Sequence, residues 1–270
     1  MTATATPARF EEILRADARV GARRLRLLLP VAAACIVALA ITGFFDAQRF
    51  LDGAPAIAQL ASEMMPPDFS RWRAWLKPLL DTLAMSIAGT ALAVAVSLPL
   101  ALLAAPNTSP HPAVYLVMRT LLALLRSVPE IILGILFVAA VGFGALPGVL
   151  ALALHSVGMV GKFYAEAIEH VDPKPLEAAR AAGATPMQVI IHAVLPQVMP
   201  QLADITIYRW EYHFRASAVL GIVGAGGIGF ELMAALRLIR YDQVSAILLT
   251  ILACVVLVDG IGAALRRRLK

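Results

Sequence analysis

Two short runs hold the residues of this 270-residue chain that have the types and spacing for chemistry. The first, Val223–Gly229, reads VGAGGIG and places Gly224, Gly226 and Gly229 in a G-x-G-x-x-G pattern, with Gly227 between them. That spacing cradles a pyrophosphate when a short strand leads into it and a helix leads out. The second run, YRWEYHFRAS at Tyr208–Ser217, sets Arg209, Glu211, His213 and Arg215 close together. On a helix Glu211 and Arg215 are four apart, as are Arg209 and His213, so the first two are expected to pair along one face. A guanidinium here lines a path and offsets the charge of a passing anion, closes a gate as a salt bridge, or fills a helix interface. Arg126 and Glu130, in RSVPE, repeat the i,i+4 spacing and are candidates for an inner gate. His155 reads as an interhelical hydrogen-bonding residue. Cys35 and Cys254 fall in apolar stretches with neither disulfide nor metal-site spacing, so no metal or cofactor is expected in this chain.

Composition decides where these residues sit. Hydrophobic residues make up 60% of the chain and charged ones 15%, with a mean hydropathy of +0.80. Soluble domains are roughly 45–50% apolar and 25% charged. The chain is therefore read as an all-α integral membrane protein. A hydrocarbon core of about 30 Å needs roughly 20 apolar helical residues, and six windows qualify: 27–45, 79–105, 119–142, 147–168, 198–223 and 244–265. The first, preceded by a long tail that contains acids, is read as a retained anchor rather than a cleaved signal.

Lys and Arg near span ends stay cytoplasmic. Arg9, Arg15, Arg19, Arg23, Arg24 and Arg26 precede the first window, and Arg266, Arg267, Arg268 and Lys270 follow the last. Both termini are thus expected in the cytoplasm, as tails 1–26 and 266–270. Segment 46–78 is then extracytoplasmic, and 79–265 is the transport core with a cytoplasmic loop at 169–197. The net charge of +5 comes largely from the two ends, which argues for topology and against nucleic-acid binding. The same count places the glycine run on the outer side after a spanning helix, where a dinucleotide site lacks both its strand and its nucleotide pool. The glycines are then either a re-entrant, gate-lining element or a tight turn with close helix packing. A short helix is expected after them, carrying Phe230, Leu232, Met233, Leu236 and Ile239.

The loop between the fourth and fifth windows has specified helix ends. Asp172 with Pro173 reads as an N-cap and first helical residue, and Gly183 as the residue just past the end. Thr185, Pro186 and Gln188 form a second start with a capping box, and Pro196 and Pro200 are expected to bend the chain into the fifth span. A rigid helix–turn–helix of this kind suits docking, with a membrane-surface linker as the alternative.

Glu177-Ala178-Ala179, then Gly183, then Ala193-x-Leu195-Pro196 resembles the EAA motif of permease subunits in binding-protein-dependent ABC importers, with Ala193 where Ile is usual. The resemblance extends over nearly the whole chain and especially residues 66–270, and PPDFSRW, RSVPE, LPQVMPQ, YRWEYHFRAS and VGAGGIG are similar to the permeases of phosphonate importers, whose relatives carry phosphite or hypophosphite. It implies a type I importer permease in a bacterial inner membrane, not itself an enzyme. The partners implied are a second copy of the chain, two cytoplasmic ATPase subunits docked on the coupling loop, and an extracytoplasmic binding protein. ATP would be handled by the ATPase, since this chain has no G-x-x-x-x-G-K-[ST] loop. A secondary transporter, the competing class, should show inverted repeats, and none is visible.

Overall fold

The computed structural model describes residues 26–269, so the expected tail 1–26, apart from Arg26, and Lys270 lie outside the described residues. Every element among the described residues is helical. The chain divides into two compact units after Ser62.

The first unit holds α1 (Arg26–Ile41) and most of α2 (Ala47–Glu63). α1 is apolar and ends at Ile41, short of the expected Phe45, because the chain turns at Gly43, where φ is +75°. Asp46 then accepts the Arg49 backbone N–H (3.4 Å) and pairs with the Arg49 guanidinium (3.1 Å), fixing the start of α2. No residue of α2 is buried.

The second unit contains α3 (Trp72–Leu103), α4 (Pro112–Ser127), α5 (Glu130–Val141), α6 (Ala145–Glu169), α7 (Pro173–Ala181), α8 (Pro186–Val189), α9 (Leu195–Leu220), α10 (Ile228–Arg237) and α11 (Tyr241–Leu269). α6 is its central post, packed by α3, α4, α5 and α9. Small residues explain this position. In lipid, helices gain little from hydrophobic burial and associate by close van der Waals approach. A Cβ on Gly158 would lie 2.6 Å from the Arg126 backbone nitrogen and 2.7 Å from the Leu122 carbonyl oxygen, so α4 crosses α6 backbone to backbone. Gly89 of α3 instead makes room for a side chain, its Cβ position lying 3.0 Å from Leu152 Cβ of α6. Large apolar side chains on the outer faces, such as Ile87, Leu92, Leu252 and Val256, remain exposed for hydrocarbon contact.

The six expected windows are realised unequally. Four helices are long and apolar enough to cross a membrane: α3, α6, the continuous run Pro186–Ala225 and α11. The third window is not one straight span, because α4 and α5 meet at 81°. Val128 precedes a proline and is therefore extended (φ −88°, ψ 120°), and Pro129 brings no N–H to continue the ladder. Arg126 and Glu130 thus do not share a helix face, contrary to the i,i+4 expectation. The first window is the shorter α1.

The expected bend before the fifth span is absorbed without a break. A π-helical turn at Ile190–Val194 widens the helix just before Pro196, and the Leu195 N–H reaches back to the Ile190 carbonyl. The extra residue accommodates the ring and the missing donor of Pro196.

Candidate coupling and translocation sites

The 169–197 loop, the candidate coupling element, forms as its caps specify. Asp172 accepts the Lys174 N–H (3.0 Å), and Gly183, at φ +84°, ends α7 with its N–H on the Arg180 carbonyl. Thr185 and Gln188 complete the reciprocal box: the Gln188 carbonyl takes the Thr185 N–H (2.8 Å) and Thr185 Oγ takes the Gln188 N–H (3.4 Å). Gln197, which the sequence did not single out, ties the loop to α9 by accepting the Asp172 N–H (3.1 Å) and donating to the Ala193 carbonyl (2.6 Å). Leu176, Val189 and Ala193 are buried in a core shared with α3, α4 and α6. Ala193 is only 6% exposed, so a small residue fits where the motif usually has Ile. Glu177, Ala178, Gly183 and Pro196 are exposed, and Ala179 and Leu195 half-buried. Glu177 has no ion-pair partner among the described residues. Beside the loop, a groove of about 510 Å³ is lined by Asn107, Thr108 and Ser109 from the α3–α4 connection and by Arg180, Pro186 and Val189.

The charged run on α9 divides between two faces. Glu211 and Arg215 do not pair with each other as expected; both turn to α11. Arg215 bonds Asp259 at 2.8 Å, and Glu211 lies 2.8 Å from Arg266, whose Nε is also 3.9 Å from Asp204. Gly262 of α11 leaves the notch that admits the Glu211 carboxylate. Inter-helix partners win because an ion on an apolar span gains more from an opposite charge across a packed interface than from a flexible neighbour on its own surface. Asp259 was missed by the sequence reading, although a carboxylate inside an apolar window was itself the signal.

Arg209 and His213 face inward and meet small hydroxyl residues near the midpoints of α3 and α6. A directional chain results. Arg209 Nε donates to Ser156 Oγ (2.7 Å), and the Ser156 hydroxyl lies 2.5 Å from His213 Nε2. On the other side of the ring, His213 Nδ1 lies 2.7 Å from Thr90 Oγ, whose own proton goes to the Ser86 carbonyl (2.6 Å). Thr90 and Ser156 carried no sequence signal, being ordinary span residues. Arg209 also stacks on Tyr212, its guanidinium carbon 4.3 Å from the ring centroid. Tyr212 donates its hydroxyl to Glu130 (2.6 Å), the first residue of α5. His155 donates from Nδ1 to the Val128 carbonyl (2.9 Å), filling an acceptor that the broken helix leaves open, and its Nε2 lies 3.7 Å from Glu130. His155 is thus the interhelical residue expected, with Glu130 as neighbour. Arg126, half-buried in the last turn of α4, has no ion-pair partner among the described residues.

The glycine run closes on itself and on α3. Gly224, Gly226 and Gly227 all have positive φ (+101°, +75° and +71°), which L side chains rarely adopt. Thr82 of α3 occupies the start of α10, accepting the Ile228 N–H at 2.9 Å, and the Gly144 N–H reaches the Gly224 carbonyl (3.3 Å). A helix enters the run rather than a strand, and the N-terminus a pyrophosphate would use is filled by a hydroxyl. Gly229 packs against the Ala218 carbonyl with no room for a side chain. α10 is the short helix expected after the glycines.

At the same end, the 64–71 connection docks on the start of α11. Asp68 donates its N–H to the Asp242 carbonyl (3.0 Å), Gln243 donates to Asp68 (3.3 Å) and Ser245 donates to the Met64 carbonyl (2.7 Å). The Ser70 backbone N–H, with the Ser70 hydroxyl and the Gln243 amide, holds the Asp68 carboxyl below the usual aspartate range.

The sequence matches the family described as binding-protein-dependent transport system inner membrane component over residues 97–270. It is 64% identical over 260 residues to the phosphite transport system permease protein PtxC of Stutzerimonas stutzeri, covering 96% of this chain and 94% of that one. It is 43% identical over 223 residues to the phosphate-import permease protein PhnE of Mycolicibacterium smegmatis, covering 83% of this chain and 42% of the relative. Among solved structures, an inward-facing MetNI methionine ABC transporter chain aligns with a TM-score of 0.66 at 23% identity, covering 75% of this chain and 99% of that one, which establishes the shared fold. With the family matched over most of the chain and the importer fold present, the chain belongs to the binding-protein-dependent transport system inner membrane components.

Proposed function

We propose that the protein is the permease subunit of an ATP-driven importer of phosphorus oxyanions, phosphite first among them and phosphonate next. The carrying observation is the 64% identity to a phosphite transport permease over nearly the full length of both chains. The sequence motifs pointed first to phosphonate, and the 42% identity over 118 residues to a protein of Escherichia coli named as a putative cryptic phosphonate transport system permease supports the same chemical class.

In this reading two copies of the chain form the pathway, with both termini in the cytoplasm. A separate ATPase pair grips the exposed Glu177–Gly183 surface, and a binding protein delivers cargo to the opposite end, where α10 and the 64–71 connection lie. The internal cap bonds and the Gln197 clamp let the loop transmit force as a rigid body, since a loop that deformed under load would dissipate the stroke. The glycine run and the α9 charges belong to the gates and the path.

The test is purification of the tagged chain in mild detergent from its native host, with mass spectrometry of its companions, followed by uptake of radiolabelled phosphite and methylphosphonate in reconstituted proteoliposomes. Recovery of an ATPase in equal amount and ATP-dependent uptake of either anion are expected. A chain that emerges alone, under conditions where a known importer keeps its ATPase, would return the assignment to a secondary transporter.

A further inference from the structure

Two atoms of opposite charge are left over where the third window breaks. Arg209 is 6% exposed, yet its Nη2 has no hydrogen-bond partner. Glu130 Oε2 is likewise buried without one, the His155 Nε2 standing 3.7 Å away and beyond hydrogen-bond reach. Both residues attach to the same ring: Arg209 lies over the face of Tyr212, and Glu130 accepts from its hydroxyl. An unsatisfied buried charge is costly, and such a group in a native fold calls for a partner present in another state or supplied by a ligand.

The surroundings specify the ligand's charge. Glu130 opens α5, so the Glu130 and Ile131 N–H groups, which have no partner inside their own helix, gather at this point with the positive end of the helix dipole, while the Ile132 and Leu133 N–H groups are taken by the Pro129 carbonyl. The break sits beside His155, near the middle of α6 (Ala145–Glu169), and therefore deep in the membrane. Non-helical backbone at such depth is tolerated where it is enclosed by protein or lines a cavity, and half-helix N-termini at the midplane face anionic groups in other transporters. Arg126, in the last turn of α4, brings a second guanidinium with no carboxylate of its own among the described residues.

We infer that the α4–α5 break is the transit site for the oxyanion, assembled from Arg209, the Tyr212 hydroxyl and the α5 N-terminus, and that Glu130 is its built-in occupant. In the state described here the Glu130 carboxylate takes the Tyr212 donor that a cargo oxygen would take. Cargo entry displaces the Glu130 side chain, a group of similar size, and Arg209 Nη2 gains its missing acceptor. An internal carboxylate competing for the same donors keeps the attraction weak, which suits a site that must release its cargo, and it shuts the path to water and smaller ions between strokes. The inference rests on the phosphorus-oxyanion reading above.

The experiment measures equilibrium binding of radiolabelled phosphite to the detergent-purified permease–ATPase complex without the binding protein, beside uptake in proteoliposomes. Glu130→Gln keeps the shape and removes the competing charge. It should tighten phosphite binding about tenfold, the equivalent of one charge-assisted hydrogen bond. Arg209→Gln should abolish binding, and Arg209→Lys, the substitute should the first fail to assemble, should weaken it by about the same factor. A merely structural role moves the two positions in the same direction, so the opposite signs are the discriminating result. Glu130→Gln binding that is unchanged or weaker overturns the inference. A wild-type complex that carries neither phosphite nor methylphosphonate fails the reading of function instead, so the two failures are distinguishable.

Discussion

Ser156 holds two inward-facing groups of α9 at once. It accepts from Arg209 Nε and meets His213 Nε2, so Ser156→Ala strips a partner from each in a site that water does not reach. Leaving a buried donor or acceptor unmade costs about 1–3 kcal/mol. The purified complex should lose several degrees of thermal stability, and a variant that melts with the wild type would show that the chain of bonds is not holding α6 to α9. Asp68 gives a pH-dependent prediction at the end of the spans where the 64–71 connection meets the start of α11. Its carboxyl is held below the ordinary aspartate value by Ser70 and Gln243, so its contribution to docking the 64–71 connection is complete above about pH 4 and is lost as pH falls through the lower, folded value. Limited proteolysis of that connection should therefore stay slow from pH 7 to about pH 4 and accelerate below. Asp68→Asn should be cleaved at the faster rate throughout; cleavage that is slow and flat with pH in this variant would remove Asp68 from the account.

Between helices, the α4–α6 crossing depends on Gly158, where any side chain would strike the backbone of Leu122 and Arg126. Backbone cannot move aside as a flexible side chain can, so Gly158→Ala should cost at least the roughly 1–3 kcal/mol typical of overpacking. Gly260 is the matched control, being helical with nothing within 4 Å of its Cβ position. Gly260→Ala should be neutral or stabilising by about 1 kcal/mol through helix propensity. Equal melting temperatures for the two variants would show that the crossing tolerates separation. The same crossing positions the break, because it brings α6 close enough for His155 to take the Val128 carbonyl. Both the proline and the neighbouring histidine were visible in the sequence. That the two answer each other depends on helices that are distant along the chain.

For the whole molecule, the loop that carries the exposed Glu177 and the buried cluster around Arg209 are joined by one element, α9. Gln197 joins the coupling loop to the start of α9, and Arg209 lies about three turns further along it. Glu177→Arg should leave the fold intact, since the side chain is exposed and unpaired, while abolishing co-purification of the ATPase and ATP-dependent uptake together. Retention of the ATPase at wild-type ratio would move the docking surface elsewhere, with the groove lined by Asn107 and Arg180 as the next place to look.

Hydropathy alone determined that this is a multi-pass helical membrane protein, and local chemistry determined both helices of the 169–197 loop, because caps, prolines and Gly183 act within a few residues of themselves. The spacing from Glu177 to Pro196 carried the family. The fate of the charged run lay beyond reach of the sequence. Spacing along one helix suggested that Glu211 would meet Arg215, whereas Asp259 and Arg266, contributed by another helix, take them instead. RSVPE lay within a single expected window, 119–142, but its proline breaks the helix at a depth where His155 and Tyr212 supply the missing partners. Only packing decides which groups meet across helices, and inside a membrane those meetings determine where an ion is tolerated.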